Sequence, residues 1–321
     1  MKIAQVAPLM EAVPPKLYGG SERIVAHLCN ELSALGHDVT LFASGDSTVA
    51  CRVAAVWPKA LRLDTSISDY LAPHMILLEA VASRGGEFDV IHSHVDYLGY
   101  PLLRRAGVPF LTTLHGRLDL PVLQHIYRTF DDVPVVTISD AQREPVPNAN
   151  YLGTIQHGIP ERLLLPGFGA GGYLAFLGRI SPEKAPDAAI RIAQKAGMPI
   201  RIAAKVDQVD RDYFEELVKP LLTLPGVEFL GLAMIEAMAC GTPVIAFRRG
   251  SVPEIVEDGV TGFIVNNEDE AAQAAAAVSR LDRARVRRVF EARFTAHRMA
   301  EDYLNVYRRL IARDQPLLEA V

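Results

Sequence analysis

One pattern of apolar and polar positions recurs along the chain: the end of a helix with apolar periodicity, a glycine, one or two further residues, then a short apolar strand. It occurs at Leu35-Gly36 before Val39–Phe42, at Ala106-Gly107 before Pro109–Thr112, at Ala196-Gly197 before Pro199–Ile202 and at Cys240-Gly241 before Val244–Phe247. Glycine supplies the left-handed residue that closes a helix, so each instance predicts an α-to-β joint. Further apolar runs predict strands at Ile3–Ala7, Asp89–His92, Val135–Ile138, Tyr173–Leu177 and Gly262–Val265. Strand and helix by turns imply an α/β protein with parallel sheets covered on both faces. One sheet would need too many strands, and a second beginning is visible where the flexible run Gly169-Ala-Gly-Gly172 precedes Tyr173–Leu177. The expected organisation is therefore two doubly wound, Rossmann-like domains facing a cleft, over 1–168 and 169–296. A last helix over 297–321 follows, with Met299, Tyr303, Val306, Tyr307 and Leu310 on one face and Thr295 available as its cap.

Composition narrows the class. The chain has 321 residues, half of them apolar, which is enough for two ordinary cores. Its formal charge of -5, with acids and bases interspersed and no run of like charges, argues against a nucleic-acid surface and for a small-molecule partner. No apolar stretch reaches the ~18 residues of a membrane span, and the N-terminus reads as a strand rather than a signal peptide. A cytoplasmic location is expected, and nothing points to peripheral membrane contact. Cys29, Cys51 and Cys240 are widely separated and lack metal-ligand spacing, so free thiols are expected.

In open parallel sheets ligands sit beyond the carboxyl ends of strands, so chemistry is sought there. After the first strand, Gly19 and Gly20 permit close backbone approach to a ligand, and Ser21 is placed to cap the helix that follows. The Gly-x-Gly-x-x-Gly fingerprint of a nicotinamide dehydrogenase is missing from this joint. His92 and His94 share one strand face without an evident third metal ligand, leaving a cleft-lining role or ordinary hydrogen bonding. His115 follows the strand Phe110–Leu114, and Thr137-Ile-Ser-Asp140 ends another strand with groups that cap a helix or line an acceptor. In the second half, Arg179 and Lys184 follow the strand Tyr173–Leu177. A guanidinium and an ammonium there suit the oxygens of a diphosphate without a metal. Glu236 stands on a short, otherwise apolar helix between Gly231 and Gly241. It is either a solvated side chain or a ligand group, and periodicity does not decide.

The stretch Met234-Ile-Glu-Ala-Met-Ala-Cys-Gly-Thr-Pro-Val-Ile-Ala246 resembles the donor-site signature of retaining glycosyltransferases of family 4. The resemblance implies the GT-B fold, with the last helix crossing back to the first domain, and transfer of a sugar from a nucleoside-diphosphate sugar to a hydroxyl acceptor with retained configuration. The acceptor would be a small molecule, glycan or glycolipid, and no metal or other cofactor is implied. Carried over by position, Glu236 would hold the ribose, Arg179 and Lys184 the diphosphate, Gly19 and Gly20 would approach the donor, and His115 would lie beside the transferred sugar as the catalytic histidine. His94, Glu228 and Gly231 are candidate contacts to donor sugar or acceptor. The chain departs from the family at Gly231-Leu232, where a strand, a helix and a Glu-Pro-Phe-Gly turn are expected and Gly231 runs straight into Leu232. Either a segment of the native chain is missing from this sequence, or the deletion is genuine and Glu228, eight positions before Glu236, imitates the lost glutamate. The second case leaves a different reading open, a sugar-nucleotide-binding protein without transferase activity. A phosphorylase on the same fold would need a lysine for pyridoxal phosphate, and no motif nominates one.

Overall fold

A computed structural model describes residues 1–16, 19–167, 171–206, 208–230 and 235–314. The chain divides into two compact units, one made of residues 1–160 with 294–321, the other of 161–293.

The first unit is built on seven strands: β1 Lys2–Val6, β2 Asp38–Ser44, β3 Arg52–Trp57, β4 Val90–Ser93, β5 Phe110–Leu114, β6 Pro134–Thr137 and β7 Asn150–Thr154. They form one sheet in the order β3-β2-β1-β4-β5-β6-β7, and every neighbouring pair is parallel. The order reverses direction between β1 and β4, the switch point at which the carboxyl ends of such a sheet leave room for a ligand. Alternation along each strand divides the core in two. Ile3, Val39, Leu41, Val90, Leu111 and Val136 pack against the helix Gly20–Ala34 and the C-terminal helix Ala296–Asp314. Ala4, Val6, Phe42, Ile91, Phe110 and Leu114 pack on the other face with Leu77, Leu78 and Val81 of the helix Leu71–Ser83. The last helix thus belongs to the first unit, as expected. Its buried stripe is Met299, Tyr303, Val306, Tyr307 and Leu310, and Thr295 Oγ1 accepts the Arg298 backbone N–H at 3.2 Å as its cap.

The second unit contains β8 Leu174–Ile180, β9 Ile200–Val206, β10 Val227–Leu230, β11 Val244–Phe247 and β12 Gly262–Val265. These five do not join into one sheet among the described residues: β10-β9-β8 are parallel in one, β11-β12 in another. The division falls between β10 and β11, on either side of residues 231–234. The junction at Gly231-Leu232 itself lies outside the described residues. Each strand set keeps its own small core, Ile180, Ile190, Ile200, Ile202 and Val218 for the first, Val265, Ala271 and Ala274 for the second. Arg287, on the helix Arg283–Arg293, is a buried guanidinium. It donates to the backbone carbonyls of Glu161 (2.7 Å), Leu164 (2.9 Å) and Ala239 (2.6 Å) and to the Glu291 carboxylate (2.6 Å).

All four glycine joints take left-handed backbone, with φ between 62° and 82° at Gly36, Gly107, Gly197 and Gly241. At Gly241 a side chain is doubly excluded, since a Cβ would also stand 2.8 Å from the Arg283 carbonyl oxygen.

Candidate active site

At the carboxyl end of the first sheet, Gln5 on β1, His92 on β4 and Thr113 on β5 occupy the same face, and His94 and His115 continue the alternation just past β4 and β5. Where that face would otherwise be aliphatic, it meets Tyr303 and Tyr307 of the C-terminal helix. Buried polar groups need partners, and these find one another. The Gln5 amide nitrogen donates to the Tyr307 hydroxyl (3.0 Å) and its oxygen faces His94 Nε2 (2.8 Å). His92 bonds Tyr307 through Nδ1 and Thr113 through Nε2, both at 2.7 Å, and Thr113 meets the Tyr303 hydroxyl at 2.8 Å. His94 Nδ1 and His115 Nε2 lie 2.9 Å apart. Both nitrogens of His92 are therefore taken by protein, which removes the His92–His94 pair as half of a metal site. Burial, with neighbouring imidazoles second, holds the pKa of His92, His94 and His115 well below the ordinary value, so all three are neutral. His157, its ring centroid 5.3 Å from that of His115, is brought down to about 4 by burial and then by Arg298. His115 Nδ1 is buried and has no hydrogen-bond partner among the described residues.

Gly19 precedes the helix Gly20–Ala34 with extended backbone (φ 172°) and no side-chain cap. Ser21, expected as the cap, lies inside the helix instead, because the helix begins at Gly20, two residues before the start a Ser21 cap would give. A Cβ on Gly19 would meet Glu22 Oε2 at 2.8 Å and Pro15 Cβ at 2.9 Å, whereas nothing stands within 4 Å of one on Gly20. The space beside Gly20 is therefore open, and that beside Gly19 is filled. Ser139 Oγ accepts the Gln142 backbone N–H (3.2 Å), so the polar end of β6 caps the turn after it.

In the second unit, Arg179 lies within β8 and Lys184 in the turn beyond it. The Arg179 guanidinium hydrogen-bonds Glu183 and forms an ion pair of 3.3 Å with Asp210, without hydrogen-bond alignment in the latter. Lys184 is exposed, and its ammonium has no ion pair among the described residues. Glu236 stands in the first turn of the helix Ile235–Ala239, half-buried, and its carboxylate makes no hydrogen bond or ion pair among the described residues. Glu228 lies on β10, with its side chain outside the described residues, and Gly231 falls outside them altogether. No group of three or more His, Cys, Asp or Glu side chains among the described residues stands together as metal ligands. Nor is any helix among them long and apolar enough to cross a membrane.

Gln5 and Asp96 were not expected at the site, and Tyr303 and Tyr307 were expected only as part of the apolar stripe of the last helix. Gln5 carried a signal, a lone amide in the apolar run Ile3–Ala7, and so did two tyrosines four apart on an apolar helix face. Asp96 carried none. It has left-handed backbone (φ 48°) just after β4, and its carboxylate accepts the His115 backbone N–H. Although the residue keeps exposed surface, burial around the carboxyl raises its pKa to about 6.

Sheet order, helix placement and the return of the last helix to the first unit define an α/β protein of the GT-B class. Residues 18–143 match the family described as Glycosyltransferase Family 4, and residues 217–283 match Glycosyl transferases group 1. The first match spans Gly19, Gly20, His94 and His115; the second spans Glu228, Gly231 and Glu236. The D-inositol 3-phosphate glycosyltransferase of Mycolicibacterium smegmatis (strain ATCC 700084 / mc(2)155) is 28% identical over 331 aligned positions, covering 78% of this chain and 76% of that protein. Among solved structures, AviGT4, a glycosyltransferase involved in avilamycin A biosynthesis, superposes with a TM-score of 0.71 at 21% identity over 97% of this chain and 98% of its own. Anabaena Alr3699/HepE in complex with UDP-glucose gives 0.70 at 17% identity over 96% and 100%. In fold the chain is similar to GT-B glycosyltransferases, and in residues 18–143 and 217–283 to glycosyltransferases of the family 4 type. The alignment with the mycobacterial relative is longer than this entire chain yet uses 78% of it, so that relative carries residues with no counterpart here.

Proposed function

We propose that the protein transfers a sugar from a nucleoside-diphosphate sugar to a hydroxyl acceptor with retention of configuration and without a metal ion. The observation that carries this reading is Glu236, a half-buried carboxylate without a partner among the described residues, inside the matched stretch 217–283. It accepts hydrogen bonds from the two ribose hydroxyls. Lys184, unpaired among the described residues, and Arg179, released from Glu183, meet the diphosphate. Gly20 gives the donor backbone access, and His115 offers its unpartnered nitrogen to the transferred sugar. The HepE structure that this chain resembles was solved with UDP-glucose, which supports a nucleotide-sugar donor. Both family matches are to transferases, which disfavours a binding protein without activity.

Loss of the diphosphate places negative charge beside Arg179 and Lys184. Pre-placed cations stabilise that charge, and removing one such donor elsewhere costs about 10² to 10³ in rate. No side chain here is an evident covalent nucleophile, so the acceptor hydroxyl attacks from the face the diphosphate leaves. Activity then survives chelation; abolition by EDTA with rescue by magnesium or manganese would show a metal-dependent reaction.

The experiment for the ribose contact compares ribose with 2′-deoxyribose donors in wild type and Glu236→Gln. Each charge-assisted hydrogen bond contributes about 1.5–3 kcal/mol, so the wild type prefers ribose by about ten-fold or more and the variant largely does not. Equal discrimination by both proteins would remove Glu236 from the ribose.

A further inference from the structure

The ring nitrogens of His115 are chemically unlike, and the residues behind it decide which is which. The Gln5 amide nitrogen donates to Tyr307, so the amide oxygen is the end that faces His94 Nε2. An amide oxygen only accepts, and His94 Nε2 must therefore carry the hydrogen. A neutral imidazole has one N–H, which leaves His94 Nδ1 as an acceptor and obliges His115 Nε2, 2.9 Å away, to donate. The remaining nitrogen of His115, Nδ1, then bears a lone pair, and it is the one without a partner among the described residues. On the other side the donors and acceptors also match. Tyr307 accepts from Gln5 and gives its single hydrogen to His92 Nδ1, whose Nε2–H goes to Thr113. Every hydrogen is used once. Turning the Gln5 amide end for end would reverse each donor and acceptor, and His115 would present an N–H where it now presents a lone pair.

We propose that Gln5, held by Tyr307, is a positioning residue for His115: through His94 it keeps His115 Nδ1 unprotonated, as a hydrogen-bond acceptor for a hydroxyl of the donor sugar. Gln5 and Tyr307 are wholly buried and touch no ligand themselves. Their effect passes along one line of hydrogen bonds from the last helix to the end of β5. The consequence for the sugar rests on the role given to His115 under Proposed function; the tautomer does not.

Nitrogen-15 NMR of the unliganded protein labelled at histidine tests the tautomer directly, because protonated and unprotonated ring nitrogens resonate in separate ranges. The expected wild-type pattern for His115 is Nε2 protonated and Nδ1 unprotonated. Gln5→Glu, which can only accept from His94 when ionised, retains the pattern. Gln5→Met, which matches the length without either bond, gives mixed tautomers. Tyr307→Phe, which keeps the ring but frees the amide, does so as well and covers the case in which Gln5→Met does not fold. Gln5→Met also lowers kcat/KM for sugar transfer by about ten-fold, the size of one hydrogen bond, with affinity for the free nucleoside diphosphate unchanged. A protonated Nδ1 in the wild type, or an unaltered pattern in both Gln5→Met and Tyr307→Phe, would overturn the proposal. Mixed tautomers with undiminished turnover would instead refute the placement of His115 beside the sugar.

Discussion

All nine histidines of the chain lie in the first unit, and this makes its stability depend on pH in a way the second unit's does not. His27 and His157 are brought down to about 4, chiefly by burial, from an ordinary value of 6.5. Between those two values the unfolded chain binds protons that the folded unit refuses, so stability is complete above 6.5 and is lost as pH falls toward 4. From pH 7 to pH 5, each such histidine forfeits about 2 kcal/mol, obtained from a slope of about 1.4 kcal/mol per pH unit that sets in near 6.5. Together the two cost about 4 kcal/mol. Asp96 works the other way, because its raised pKa lets the folded unit take up a proton as pH falls through about 6. Solvent access limits that return to about 1 kcal/mol. The net loss is about 3 kcal/mol, a large share of the roughly 5–15 kcal/mol that holds a domain together, and His92, His94 and His115 shift in the same direction. Trp57, the single tryptophan, sits on β3 of the same unit, so urea unfolding followed by its fluorescence reports on this unit. The midpoint is expected to fall clearly between pH 7 and pH 5. An unchanged midpoint would mean that these imidazoles are hydrated or charged in the folded protein, and the accounting of the buried network would be wrong.

In the second unit, Arg287→Met leaves the carbonyls of Glu161, Leu164 and Ala239 without their donor and is expected to cost about 3 kcal/mol. Faster hydrogen exchange around 161–165 and 237–241 would register it, and wild-type protection there would show the guanidinium to be dispensable. Gly158→Ala drives a Cβ into the Thr295 backbone carbonyl, where Ile159 pairs with Thr295, and should destabilise the first unit by about 1–3 kcal/mol in the Trp57 assay. Lys184→Ala and Arg179→Ala should both weaken binding of the free nucleoside diphosphate by calorimetry, because the charge they meet is present before and after transfer. Unchanged affinity in both variants would take them out of the phosphate site.

The joints and the elements between them were legible in the local sequence. The helix–glycine–strand pattern needs left-handed backbone, which glycine alone supplies cheaply, and all four joints were legible for that local reason. The apolar stripe of the last helix was equally legible, and so was the signature that places Glu236, since both are carried by residues close together in the chain. Strands β3 and β7 were not read. Both edge the sheet, and their half-buried residues lack the continuous apolar run of the central strands. The surroundings of His115 were not legible locally. Its environment comes from Gln5, His94 and Tyr307, residues up to 302 positions apart in sequence, brought together because parallel strands stack in register and the last helix returns to cover them. No local rule links a glutamine on the first strand to a tyrosine on the last helix. Protonation in a buried network is set by the sum of such contacts, which exists only once the chain has folded.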